Sequence, residues 1–194
     1  MTHPAPTEPA SAGRFTVEQY FALVGEGALA PDDRIELLEG VVVAMSPRSA
    51  AHDAAVNRVL RALLAAVGSR ATVRCQSSLV LGTRSVPEPD AAVAPGGNAT
   101  YDRAHPTTAL LVVEVADSSL VQDRVTKAAL YAAARIPEYW IVDLRDDRRL
   151  EVLRAPDPTV PRYVDARALA RGDAVELVAL AGATVAVSDL LPER

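Results

Sequence analysis

An α/β fold is what this sequence predicts, and three observations carry the prediction. Residues Ala109 to Val115, ALLVVEV, are nearly continuous in apolar β formers, as a central strand buried on both faces requires. The stretch from about Leu120 to Ala134 has good helix formers throughout and ends before Pro137. A second apolar strand, Tyr139 to Leu144, follows at once and completes a strand, helix, strand unit.

The other elements fall around that unit. Thr16, with Gln19 three residues on, makes a capping-box pattern and opens a short helix through about Leu23. Arg34 to Met45, RIELLEGVVVAM, holds two apolar runs parted by Glu39-Gly40, which is a hairpin signal. A two-residue turn there pairs Leu38 with Val41 and Glu36 with Val43, setting Glu36 on an apolar face and Glu39 at the wet tip. Ser49 can cap a helix over about residues 50 to 67, where Val56, Leu60, Leu63, Leu64 and Val67 repeat at helical spacing. Arg58 and Arg61 lie on its polar side. Strands are expected around Val73, Leu79 and Ala91, with Gly82, Pro87 and Pro89 punctuating the connections, and Pro95 to Thr108 reads as loop. Further short strands are expected at Leu150 to Leu153, Val160 to Val164 and Val175 to Val187.

With 194 residues, 49% hydrophobic and 23% charged, the chain matches ordinary globular proteins and departs from disordered, collagen-like and membrane classes. One domain over residues 14–194 is expected, after a flexible tail of residues 1–13. The single cysteine, Cys75, cannot form an internal disulfide, which suits a reducing cytoplasmic location. The longest uncharged stretch, which includes Leu177 to Val187 and ends before Asp189, falls short of the roughly 18 residues a membrane helix needs. The N-terminus lacks the basic region and apolar stretch of a signal peptide. A net charge of −5 and a pI near 5.2 repel polyanions in bulk, so any phosphate contact must be local.

Chemistry begins at Glu114. An ionised carboxylate within a buried strand costs several kcal/mol unless an ion pair, a raised pKa or a bound metal compensates it. Asp90, in SVPEPDAAVAP, enters a neighbouring apolar strand in the same way. Two carboxylates from adjacent strands suit magnesium, which takes one or two and keeps several waters. Either acid alone is more often structural. Of 20 basic residues 19 are arginine, and the one lysine, Lys127, lies thirteen residues after Glu114 on the following helix. Asp123 and Tyr131 flank it at i−4 and i+4, so an acid and a phenol share its face; the bland reading is an exposed ion pair worth a few tenths of a kcal/mol. His52, in the first turn of the Ser49 helix, reads as a surface residue. Zinc-ligand spacing, a P-loop, a G-x-S-x-G elbow and a dinucleotide fingerprint are all missing from the sequence.

Taken in order, RIELLEG, MSP with His52 after it, PEPD, VVEV, Asp123-x-x-x-Lys127-x-x-x-Tyr131 and PEYWIVD resemble the Uma-two family of bacterial endonucleases, within the PD-(D/E)xK nuclease superfamily. The similarity runs from about Arg34 to Asp143. It implies a restriction-endonuclease-like core, a mixed β-sheet flanked by helices, with the short C-terminal strands as additions. It also implies that Asp90 and Glu114 are the metal carboxylates, that Lys127 replaces the lysine usually found two residues after the glutamate, where Ala116 stands, and that Glu36 is the N-terminal acid. Asp123, His52 and Tyr131 match recurring positions without an assigned role. The function so implied is Mg2+- or Mn2+-dependent hydrolysis of nucleic acid, DNA before RNA. Arg58 and Arg61 are candidate backbone contacts, and a symmetric homodimer would supply two sites for double-strand cleavage. The rival expectation is a catalytically inactive nuclease fold serving as an interaction module.

Overall fold

The computed structural model describes residues 13–30, 33–45, 47–145, 148–157 and 159–192; residues 1–12 of the expected tail lie outside the described residues. Thr16 opens α1 (Val17–Gly25) with the expected capping box, its hydroxyl accepting the Gln19 N–H while the Gln19 carboxamide accepts the Thr16 N–H. In the hairpin, β1 (Ile35–Leu38) pairs antiparallel with β2 (Val41–Ala44), Leu38 facing Val41 and Glu36 facing Val43. Glu39 and Gly40 turn with φ of 49° and 84°, the left-handed pair that a two-residue hairpin demands. A side chain at residue 40 would also meet Arg14 Cβ at 2.6 Å, which only glycine avoids.

Ser49 caps α2 (Ala50–Val67) by accepting the His52 N–H at 3.1 Å. The buried stripe of α2 is Ala55, Val56, Val59, Leu63 and Val67. Leu64, expected on that stripe, is 56% exposed, because it lies one residue and about 100° round the helix from Leu63. There follow β3 (Thr72–Cys75), β4 (Ala91–Ala94) and β5 (Leu111–Ala116), with a 3-10 turn, Asn98–Tyr101, inside the expected loop. The stretch around Leu79 is not a strand. Leu79 is buried, but its N–H goes to the Pro87 carbonyl and that of Val80 to Pro106, while Pro87 and Pro89 have no N–H to extend a ladder.

The expected helix after β5 is three pieces: α3 (Leu120–Gln122), a π-helical turn over Asp123–Lys127, and α4 (Ala128–Ala133). Next come β6 (Glu138–Asp143), β7 (Arg149–Asp157), β8 (Arg162–Leu169), β9 (Ala174–Glu176), β10 (Thr184–Ala186) and α5 (Val187–Leu190). Six strands form one sheet in the order β3-β4-β5-β6-β7-β8, parallel only between β5 and β6. This is the mixed sheet flanked by helices that the family resemblance implies. The C-terminal strands differ from expectation in that β7 and β8 extend the main sheet, while β9 and β10 make a separate pair.

Alternation along β5 divides the core. Leu111, Val113 and Val115 pack with the α2 stripe, Val93 and Trp140, whereas Val112 and Ala116 pack with Ala128, Tyr131 and Tyr139 on the other face. Each fully buried Val or Leu in these layers contributes on the order of 1.5–3 kcal/mol. Glu114 lies between Val112 and Ala116, on the second face. No helix of the described residues is long and apolar enough to cross a membrane.

Candidate active site

The site is built where β4 begins and β5 ends. Ala91 pairs with Val113, so the antiparallel register carried one residue further sets Asp90 opposite Glu114. Asp90 Oδ2 accepts the Val115 N–H at 2.9 Å, which ties its carboxylate to β5. Glu114 and Asp90 are 4% and 6% exposed. The hairpin brings a third carboxylate: Glu36, 2% exposed, sits on the inward face and accepts the Glu88 N–H at 2.8 Å.

Lys127 joins these acids. Its Nζ donates to Glu114 Oε1 at 2.9 Å and to Glu36 Oε1 at 3.2 Å, and the Tyr131 hydroxyl donates to the same Glu114 oxygen at 2.8 Å. An ammonium has three N–H groups, so one is left for a water or substrate. Among the described residues Glu114 Oε2 has no hydrogen bond.

Lys127 does not pair with Asp123, as the i−4 spacing suggested. Asp123 Oδ2 accepts the Ser119 hydroxyl at 2.6 Å instead. The reason is the π turn, whose wider ring breaks i−4 stacking and turns Lys127 toward β5. Tyr139 donates to the Asp123 carbonyl within that turn at 3.2 Å, and Arg124 anchors it from outside through Glu151 and Asp143.

His52 is not the surface residue its sequence position suggested. Its Nε2 lies 3.1 Å from Asp90 Oδ2, and the side chain is 12% exposed. Gln76, which the sequence did not single out, donates Nε2 to Asp90 Oδ1 at 3.2 Å and takes Arg48 on its other end. Nothing in sequence marks Gln76, since its role depends on β3 ending beside β4. Asp117 is a further unforeseen acid of the cleft, held by the Ser49 hydroxyl at 2.6 Å. Arg58 and Arg61 do not join the site; they line a separate groove with Arg171 and Asp189.

Acids outnumber bases here, and the electrostatics follow. Burial raises the Glu114 carboxyl well above its ordinary value, and the Lys127 ammonium opposes this only in part. Burial alone would lower Lys127, but Glu114, Glu36 and Asp123 overcome it and hold the ammonium charged. For Asp90 burial is outweighed by His52, the Val115 N–H and Gln76, so its carboxyl is lowered. His52 is raised by the hydrogen bond to Asp90. Burial lifts the Tyr131 phenol well above its usual range, which keeps it a donor.

Glu36, Asp90, Glu114, Asp123 and Lys127 line one cleft, about 60 Å³ in volume. It has room for a few waters. No three of histidine, cysteine, aspartate and glutamate among the described residues converge as a ready ligand set. Two opposed carboxylates with hard oxygen donors, one of them with an uncommitted oxygen, nevertheless fit magnesium or manganese, which need no more from protein.

The fold has a close counterpart. The crystal structure of a putative nuclease of the DUF820 group from Anabaena variabilis superposes with a TM-score of 0.67 at 16% identity, covering 91% of this chain and 97% of that one. The two chains therefore share one α/β fold. A family profile named Uma2, described as "Putative restriction endonuclease", matches residues 17–188, and the chain belongs to this family. A comparison with curated proteins finds no match.

Proposed function

We propose that this chain is a Mg2+- or Mn2+-dependent nuclease that hydrolyses phosphodiester bonds, with DNA as the first substrate to test, in keeping with the family's description. The observation that carries the proposal is the single cleft in which Asp90 stands opposite Glu114 while Lys127 grips Glu114. Asp90 and Glu114 would hold the ion, which when bound neutralises the scissile phosphate and acidifies a water. Lys127, which lines the cleft and has one N–H uncommitted, orients the attacking water or steadies charge growing on the phosphate. Tyr131 and Glu36 fix Glu114 and Lys127, and His52 with Gln76 fixes Asp90. Asp123 adds negative charge that keeps Lys127 protonated.

Arg58 and Arg61 would meet the nucleic-acid backbone outside the cleft, and a homodimer would present two clefts to a duplex. The proposed setting is the cytoplasm. A second reading, a nuclease fold without turnover, draws support from Glu114 Oε1 being already occupied by Lys127 and Tyr131. One experiment separates them. Purified protein is incubated with manganese and single- and double-stranded DNA and RNA, alongside Glu114→Gln. Product from the wild type alone supports the nuclease; no product and no saturable metal binding supports the inactive fold.

A further inference from the structure

Arg34 immediately precedes β1, and the Met45 N–H donates to its carbonyl at 2.8 Å, extending the hairpin by one pair. Residues two apart on a strand share a face, so Arg34 points to the side of Glu36 and lines the same cleft. Its Nε is buried without a partner, and among the described residues its guanidinium makes no hydrogen bond or ion pair. This is unusual beside so many acids, because a guanidinium normally takes a carboxylate as a fork. Here Lys127 has taken Glu36 and Glu114. Two other arginines with a buried, unpartnered Nε are placed otherwise: Arg74 lies over the Tyr101 ring at 5.5 Å, and Arg58 opens on the separate groove.

We infer that Arg34 is the phosphate-gripping residue of this cleft, its guanidinium fork taking the non-bridging oxygens of a phosphodiester whose bases remain outside. The small cleft suits that arrangement, since it has room for an ion and a few waters. An anion is the ligand that satisfies an unpaired guanidinium, and phosphate matches the fork in two parallel hydrogen bonds. The acids of the cleft would repel that phosphate, so a cation among its lining residues answers a requirement that the net charge of −5 makes acute. The inference rests on the nuclease reading and adds the residue that positions its substrate.

The test measures binding apart from cleavage. A short fluorescent DNA duplex and its RNA counterpart are titrated with full-length wild type, Arg34→Ala and Arg34→Lys in chelator, at several salt concentrations. Arg34→Ala should weaken both probes on the order of tenfold. Its slope of log affinity against log salt should fall by about one. Arg34→Lys should keep the slope and recover only part of the affinity, because the charge remains and the fork is lost. Melting temperature and manganese affinity should be unchanged, which a merely structural arginine would not allow. If the wild type binds either probe and Arg34→Ala binds it equally with the same slope, the Arg34 role is overturned and the nuclease reading stands. If the wild type binds neither probe and cleaves nothing, both are overturned. Should Arg34→Ala fail to fold, Arg34→Lys decides: unchanged affinity overturns the fork.

Discussion

Lys127 and Glu36 lie 91 positions apart in the chain, yet Lys127 Nζ is 3.2 Å from Glu36 Oε1, and the same ammonium holds Glu114 at 2.9 Å. The hairpin, the central strand and the π turn therefore meet at one buried nitrogen. The lysine is 6% exposed, so its two ion pairs are unlike the exposed helix pair expected from spacing. Removing one member of such a buried set strands the others, at a cost of about 3–5 kcal/mol.

The first prediction concerns that nitrogen. Lys127→Ala should lose turnover and melt lower at neutral pH, with a penalty that shrinks in acid as Glu114 takes up a proton. Manganese affinity, read by calorimetry, should be retained or increased, because a cation competing for Glu114 is gone. Lys127→Arg should also lose turnover, since a planar fork cannot fit where a compact ammonium bridges two carboxylates. Near-wild-type cleavage by Lys127→Arg would remove the catalytic assignment.

Asp90→Asn and Glu114→Gln should each abolish the thermal stabilisation that magnesium or manganese gives the wild type. Both should remain folded, because Gln keeps an acceptor for Lys127 and Tyr131, and Asn keeps one for the Val115 N–H. Melting curves with and without the ion check this. An equal metal-induced shift in all three proteins would place the ion elsewhere.

Glu36 and Glu39 are three residues apart and should behave oppositely. Glu36→Gln weakens the hold on Lys127 and should reduce cleavage, while Glu39→Gln should leave it unchanged because the side chain is exposed at the turn tip. Matched cleavage assays on the two variants decide the point.

A further prediction tests the anchor of the π turn by pH. Burial would raise the Glu151 carboxyl, but hydrogen bonding and charge from Arg124 outweigh it, so the folded value is lowered. A lowered carboxyl stabilises the fold above its unfolded value, about 4.3, and loses that contribution as pH falls through the folded value. Glu151→Gln should therefore destabilise on the order of 1 kcal/mol at neutral pH. Urea melts should show the gap closing below pH of about 4. A gap independent of pH would mean that packing, not charge, makes Glu151 matter.

Much of this was legible before the fold was known, for a local reason. The Glu39-Gly40 turn, the Ser49 cap, the apolar run around Val113 and the single lysine are each readable within a few residues, because turn geometry, capping and burial of a strand act over that distance. They were enough to mark Glu36, Asp90, Glu114 and Lys127. Partners were a different matter. Spacing put Lys127 with Asp123, and only the π turn, held by Tyr139 and Arg124 from other strands, turned it to Glu114 and Glu36. His52 and Gln76 became supports of Asp90 because α2 and the end of β3 pack beside β4, and Arg34 lines the same cleft without a partner among the described residues. Local chain chemistry determined which elements form and which residues are unusual. The tertiary structure alone decided which of those residues touch, since a buried charge must take its partner from whatever distant segment packing brings within 3 Å or so.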